Sequence, residues 1–235
     1  MPQRYFIEPT DFNKQLILKD DAHHIIKVMR MKENDQIIVC TLGECYLCEI
    51  TELSLSVSFK VIKQLKKHQT PQLTLIQGIP KGNKTDIVAK YATIFGVSKI
   101  VFLEMQRSIA KDKNSQNKIK RLSLIAKEAA ELAHRFDVPK VDFVTHIKSI
   151  DFSKYDVVLV ADENEKTTML KDVIKTISNE LSYAIIIGPE GGITDEERKF
   201  FKNINAQFIS LGFNILPTEI ASIYALTYFS LKNVE

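Results

Sequence analysis

Glycine is scarce in this chain, yet three of its eight glycines, Gly188, Gly191 and Gly192, fall within five residues. The segment Gly188-Pro189-Glu190-Gly191-Gly192 follows the apolar run Ala184–Ile187. Thr194 comes next, and with Glu197 three residues later it forms a capping box at a helix start. A glycine-rich turn between the carboxyl end of a strand and a helix is where an open α/β sheet lets a ligand approach backbone. It matches neither G-x-x-x-x-G-K-[ST] nor G-x-G-x-x-G, and Glu190 would repel a phosphate. Taken alone, the segment fits equally a tight turn with no ligand. A second loop, Ser210-Leu211-Gly212-Phe213-Asn214-Ile215-Leu216-Pro217-Thr218-Glu219, also follows an apolar run and opens a helical pattern.

Charge points to a different chemistry. The formal total is only +3, but residues 71–135 carry 12 Lys/Arg against 5 Asp/Glu, while residues 136–235 carry 10 against 15. Such asymmetry suits a polyanion docking on one face. Within the basic segment, Arg107, Lys111, Lys113, Lys118, Lys120 and Arg121 are interrupted by Asp112 alone. A solvated loop and helix face would look the same.

The elements that position these groups fall into two parts. Residues 1–70 read as short strands around one helical insert, Asp20–Arg30, with Gln36–Thr41 and Cys45–Ile50 flanking the hairpin signal Leu42-Gly43-Glu44. This part is expected to be a small β-barrel or sheet domain, closed by a polar linker ending at Pro71. Residues 71–235 alternate apolar runs (Leu73–Ile76, Ile100–Leu103, Val141–Val144, Val157–Val160, Ala184–Ile187, Phe208–Leu211) with helical patterns (Lys84–Phe95, Lys118–Arg135, Thr168–Ser178, Thr194–Phe201, Thr218–Leu231). Strands buried on both faces and alternating with helices mean a parallel α/β sheet.

In order and spacing, the motifs resemble those of the RsmE family within the SPOUT methyltransferases, over nearly the whole chain. They are Arg4-Tyr5-Phe6, His24–Arg30, Pro80-Lys81-Gly82, Arg107-Ser108, Glu128-Ala129-Ala130-Glu131, Ile187–Gly192, and Leu211-Gly212 with Ile215-Leu216 and Thr218-Glu219. The resemblance implies a PUA-like RNA-binding domain followed by a trefoil-knotted α/β domain. It implies methylation of N3 of a uridine in 16S ribosomal RNA of the small subunit, with S-adenosylmethionine as cofactor, by a homodimer. The implied cofactor pocket takes Ala161, Ile187, Gly188, Pro189, Gly191, Gly192, Ser210, Leu211, Gly212, Asn214, Ile215, Leu216 and Thr218. Candidate RNA contacts are Arg4, Arg30, Lys81, Arg107, Lys111, Lys120 and Arg121. Candidate catalytic groups are Arg107, to steady charge on the uracil, and Glu190 or Glu219, to accept its proton. A ribose 2′-hydroxyl target, or a ribosome-assembly factor without catalysis, remain the alternatives. The second is raised by Asn214 and Pro217, which stand where the family commonly has arginines.

Other constellations carry less. Cys40, Cys45 and Cys48 are too few for a zinc site and are expected to be buried free thiols, which with the odd cysteine count favours a reducing compartment. No stretch approaches the ~20 apolar residues of a membrane helix. The first residues lack the apolar core of a secretory signal. A cytoplasmic protein without membrane or metal partners is expected.

Overall fold

The computed structural model describes residues 2–67, 69–109 and 115–232. Its contacts group the chain into two units, one of Met1–His68 with Ala130–Val138, the other of Gln69–Ala129 with Pro139–Glu235. Residues 130–138 thus join the first unit, although in sequence they lie well past the linker.

The first unit contains β1 (Arg4–Phe6), α1 (Pro9–Asn13), β2 (Leu16–Ile17), α2 (Lys19–His23), a π-helical turn over His24–Val28, β3 (Gln36–Thr41), β4 (Glu44–Leu53) and β5 (Val57–Gln64). The sheet order is β1-β3-β4-β5-β2, with β1 parallel to β3 and the other pairs antiparallel. Among the described residues no pairing joins β1 to β2, so of the expected small barrel or sheet the structure shows a five-stranded sheet. Leu42 and Gly43, both with positive φ, make the two-residue turn that matches strand twist between β3 and β4. Tyr5, Ile25, Ile37, Val39, Ile50 and Phe59 form the buried centre. Tyr5 is therefore a core residue, and its hydroxyl meets His24 Nδ1 at 3.1 Å.

Two sequence expectations change here. Cys40 and Cys45 are cross-strand partners next to the hairpin turn and form a disulfide, leaving Cys48 as the free buried thiol. Burial pushes the Cys48 thiol up to about 12. Of the three cysteines, only Cys48 is a free thiol of the kind a reducing compartment preserves. Arg4, expected to face RNA, is 4% exposed. Its Nη1 donates to the carbonyl oxygens of His134 and Arg135, and its guanidinium lies 5.2 Å from the centre of the Phe136 ring. It secures the 130–138 segment within this unit.

The second unit contains β6 (Gln72–Gly78), α3 (Lys84–Ile94), β7 (Lys99–Leu103), α4 (Ser115–Leu132, whose last three residues belong to the first unit), β8 (Lys140–Val144), β9 (Val157–Ala161), α5 (Leu170–Val173), β10 (Ser182–Ile187), α6 (Asp195–Asn203), β11 (Gln207–Ile209) and α7 (Thr218–Lys232). Six parallel strands run in the order β11-β9-β10-β6-β7-β8. The apolar runs are these strands because both faces are covered, with Leu75, Ile100, Leu159 and Ile185 fully buried. Gly96, at φ +93, ends α3 as a left-handed cap. The helix expected over Thr168–Ser178 is only α5 followed by a 3₁₀ turn, Ile174–Thr176. One end of it is pulled straight by a parallel bridge between Met169 and Ser210.

Arg4→Met should lower the stability of the full chain by about 1–3 kcal/mol, because two partly buried carbonyls lose their charged donor. Urea denaturation measures this, and an unchanged midpoint would remove Arg4 from that role.

Candidate functional site

Four strand ends stand in one row. Gln77 of β6 and Ala161 of β9 are both register partners of Ile187 in β10, and Ala161 also pairs with Ile209 of β11. The loops that follow therefore leave the same edge side by side, at the point where strand order departs from chain order. Between them lies a cavity of about 380 Å³, within the usual size of small-molecule sites. All of the candidate pocket residues from the sequence line it except Gly191. Apolar Ile187, Leu211, Ile215 and Leu216 face it together with the backbone of Gly188, Gly192 and Gly212. Lys84, Glu163 and Lys166 line it too, and sequence reasoning passed them over. The rule that ligands gather at strand carboxyl ends could have found the last two, since both follow β9.

A buried polar network seats α7 on this edge. Gln77 Nε2 donates to Thr218 Oγ1 at 2.7 Å, and Thr218 Oγ1 donates to Gly188 O at 2.6 Å. Ser222 Oγ donates to Gln77 Oε1. Gly78, the next residue of β6, is as constrained: a Cβ there would lie 2.6 Å from both the ring and the nitrogen of Pro189. Only glycine lets β6 pass that close to the Gly188–Pro189 turn.

Charged clamps hold the loops from outside. Lys84 Nζ stands 3.1 Å from Glu190 Oε1 and 3.1 Å from Glu219 Oε2. Glu190 Oε1 also accepts the Lys81 N–H at 3.0 Å. Partial burial would raise the Glu190 carboxyl, but the Lys81 N–H and the Lys84 ammonium outweigh it and hold it below its ordinary range. The Lys84 ammonium is raised by its bonds to Glu219 and Glu190. Both candidate bases are thus fastened to one lysine. On the far side, Arg198 grips the buried Asp162 through Nε and, at 3.1 Å, Nη2. Burial alone would raise Asp162, but Arg198 and the Asn164 N–H hold it low.

Arg107 lies behind the glycine cluster. Its Nη1 donates to Gly191 O at 2.9 Å, and a Cβ on Gly191 would meet the Arg107 Cβ at 2.8 Å. Gly191 is glycine for this contact rather than for the cavity. The capping box at Thr194 is present as expected. Its Glu197 carboxylate does more than cap: Oε1 accepts the Gln106 N–H at 2.9 Å, which ties the Arg107 loop to α6.

The RNA methyltransferase domain family matches residues 66–230, and the RNA methyltransferase PUA domain family matches residues 17–60. A ribosomal RNA small subunit methyltransferase E of Bacillus subtilis is 33% identical to the chain, covering 98% of it and 96% of the relative. The chain belongs to the RsmE family. A second RsmE relative, from Rickettsia conorii, is 33% identical over 93% of this chain and 91% of its own. Among solved structures, a hypothetical protein superposes with a TM-score of 0.86 at 32% identity over 98% of both chains. The Neisseria gonorrhoeae RsmE bound to S-adenosylmethionine gives 0.80 at 20% identity, over 97% and 96%, and shares the fold.

Arg30 is exposed after the π-helical turn, and the Lys81 side chain is exposed beside the Glu190 clamp. Lys120 is exposed on α4, whereas Arg121 is ion-paired with Asp86. Lys111 and its neighbours through Asn114 lie outside the described residues. Of the two residues expected to depart from the family's motif, Asn214 lines the cavity, and Pro217 lines it too, precedes α7 and accepts the Ala221 N–H at 2.8 Å.

Gly78→Ala should destabilise the chain by about 1–3 kcal/mol through overpacking against Pro189, seen as a lowered thermal midpoint. Arg198→Met should cost about 3 kcal/mol at neutral pH, by leaving Asp162 buried without its partner. Because Asp162 is held low, its contribution is present above the ordinary aspartate value of about 3.9 and is lost as pH falls through the lowered one. The deficit of Arg198→Met should therefore shrink in acid, and urea titrations at neutral and acidic pH would reveal a deficit that does not.

Proposed function

We propose that this chain is an S-adenosylmethionine-dependent methyltransferase acting on N3 of a uridine in 16S ribosomal RNA of the small subunit. The observation that carries the reading is the cavity at the row of strand ends, built from the segments through which the chain resembles its RsmE relatives. Its wall suits the cofactor. Branched aliphatic side chains flank a space with glycine backbone on its margin, the setting an adenine ring needs for apolar contact on its faces and for main-chain hydrogen bonds. Ile187, Leu211, Ile215 and Leu216 would hold the ring, with Gly188 and Gly212 offering backbone. When bound, S-adenosylmethionine supplies an electrophilic sulfonium methyl group.

The chain's own residues supply position and charge. The uracil N3 lies on the Watson–Crick edge, so the base must be unpaired or extruded to reach the cavity. Arg107 is the cation at the glycine turn and steadies negative charge on the uracil oxygens. Arg30 in the first unit and Lys81 and Lys120 in the second are exposed cations suited to contacting the RNA backbone, and Lys111 is a further candidate from the sequence alone. Holding the base against the cofactor accounts for about 7–11 kcal/mol when the geometry is well kept. The family's trefoil knot is part of the reading, supported by the parallel order in which β10 enters between β9 and β6 before α7 returns to pack on α3. A homodimer is supported by apolar side chains left exposed before and on α7, with Phe213 at 96% and Leu231 at 69%. No described helix is long and apolar enough to cross a membrane, and a cytoplasmic location follows from the ribosomal substrate.

Calorimetry should detect S-adenosylmethionine binding to the full chain, weakened at least about tenfold by Leu211→Glu, which brings a charge into an apolar wall. Mass spectrometry of small-subunit RNA treated with the enzyme should then find N3-methyluridine. Methylation of a ribose instead would replace the target, and binding of RNA without cofactor would favour an assembly factor.

A further inference from the structure

The carboxylates at the cavity are committed to partners, with one exception. Asp162 holds Arg198, and Glu190 and Glu219 share Lys84. Glu165, further along the loop after β9, accepts the Thr167 hydroxyl and the N–H groups of Thr167 and Thr168, which hold it down to about 2. Glu163 is exposed and lines the cavity. Among the described residues its carboxylate has no hydrogen-bond or ion-pair partner.

Gly192 sets where it stands. Glu163 Oε1 and Arg107 Nη1 lie 3.3 and 3.8 Å from the point a Cβ on Gly192 would occupy. An acceptor-only group and a donor-only group thus meet over one residue, whose φ of +71 and missing side chain leave the space between them free. That pairing is complementary to the imide edge of uracil, where an N–H donor lies between two carbonyl acceptors.

We propose that Glu163 accepts the N3 proton of the target uridine while Arg107 donates to the flanking carbonyl oxygen. The proposal rests on the uridine-N3 reading above. In this step the N3–H bond breaks, the proton passes to the Glu163 carboxylate, and the electron pair stays on N3 with charge spread over both carbonyl oxygens. That pair forms the new N–CH₃ bond as the methyl leaves sulfur, which keeps the electrons of the bond it loses. The proton then passes from Glu163 to water. Proton and methyl occupy the same in-plane position on N3, so the base must withdraw before transfer. An exposed side chain without a partner can do so, whereas Glu190 and Glu219 are held by Lys84. The charged groups around Glu163 are Arg107 from the loop after β7, Glu190 from the loop after β10 with Lys84 from the start of α3, and, on its own loop, Lys166, Glu165 and Asp162, the last paired with Arg198 of α6.

Glu163→Gln keeps the size of the side chain and removes the proton acceptor. Three quantities are measured on the full chain: the Kd for S-adenosylmethionine by calorimetry, the Kd for small-subunit RNA by filter binding, and the single-turnover rate of methylation from neutral to alkaline pH. Both Kd values should stay within about twofold of wild type. The neutral-pH rate should fall by about 10²–10⁴-fold, and the deficit should close as alkaline pH ionises N3 unaided. Glu163→Asp should recover part of the neutral-pH rate. Wild-type rates for Glu163→Gln at every pH would overturn the proposal. So would a cofactor Kd raised about tenfold with the saturated rate unchanged, since that assigns Glu163 to the cofactor's ammonium end. A wild-type product other than N3-methyluridine would overturn the proposal and the function beneath it together, before any variant is compared.

Discussion

The Gln77 side chain, at the carboxyl end of β6, is fully buried. An amide taken out of water must find partners inside the protein or cost stability. It finds them in Thr218, at the start of α7, and Ser222 one turn on, and Thr218 in turn donates to Gly188. A single neutral network therefore fixes three segments distant in sequence: the end of β6, the glycine turn after β10 and the first turn of α7. The cavity exists because these stay in register. Its floor is the row of paired strand residues, and two of its walls are the loops that the network joins. Gly78 adds a steric condition to the polar one, since only a bare backbone lets the Pro189 turn sit that close.

Around this uncharged centre the ionic contacts work differently. The Lys84 clamp lies nearer solvent, and the buried Asp162 keeps its charge because the Arg198 guanidinium and the Asn164 N–H meet it. They constrain loops without fixing a unique packing, and they give those loops a dependence on acid that the Gln77 network lacks. Glu197 belongs between the two kinds. Buried and shared between the Thr194 cap and the Gln106 N–H, it converts a local helix signal into a tertiary tie that orients the segment bearing Arg107.

How much of this was legible depends on the range of the interaction. The parallel sheet was readable because burial on both faces leaves unbroken apolar runs such as Ala184–Ile187. The capping box was readable because it closes within three residues. The pocket loops were readable through motif order. Lys84 was not, because nothing near it in sequence hints that Glu190 and Glu219 converge there from beyond 100 residues away. Gly78 was missed for the same reason, its need for no side chain coming from Pro189. Arg4 was misassigned because an arginine that satisfies buried carbonyls and one that meets phosphate look alike in sequence. Thr168–Ser178 has a helical pattern, but pairing with β11's end drew its first residues into a bridge, a tertiary override of local preference.

The charge asymmetry that first suggested RNA sharpens once each cation is asked what already answers it. Arg4 is answered by carbonyls and an aromatic ring, Arg121 by Asp86, and Lys84 by two carboxylates. None of these can release counterions from a nucleic acid without first giving up an internal partner. Affinity from phosphate contacts rises only with cations free to neutralise charge. The excess of basic residues in the middle of the chain therefore overstates the RNA-facing charge. Arg107 is in a different position from the paired cations: among the described residues its hydrogen bond is to a neutral carbonyl and no carboxylate forms an ion pair with it. It is fixed in place yet electrostatically open, which is the condition a group needs to stabilise charge that appears only as the reaction proceeds.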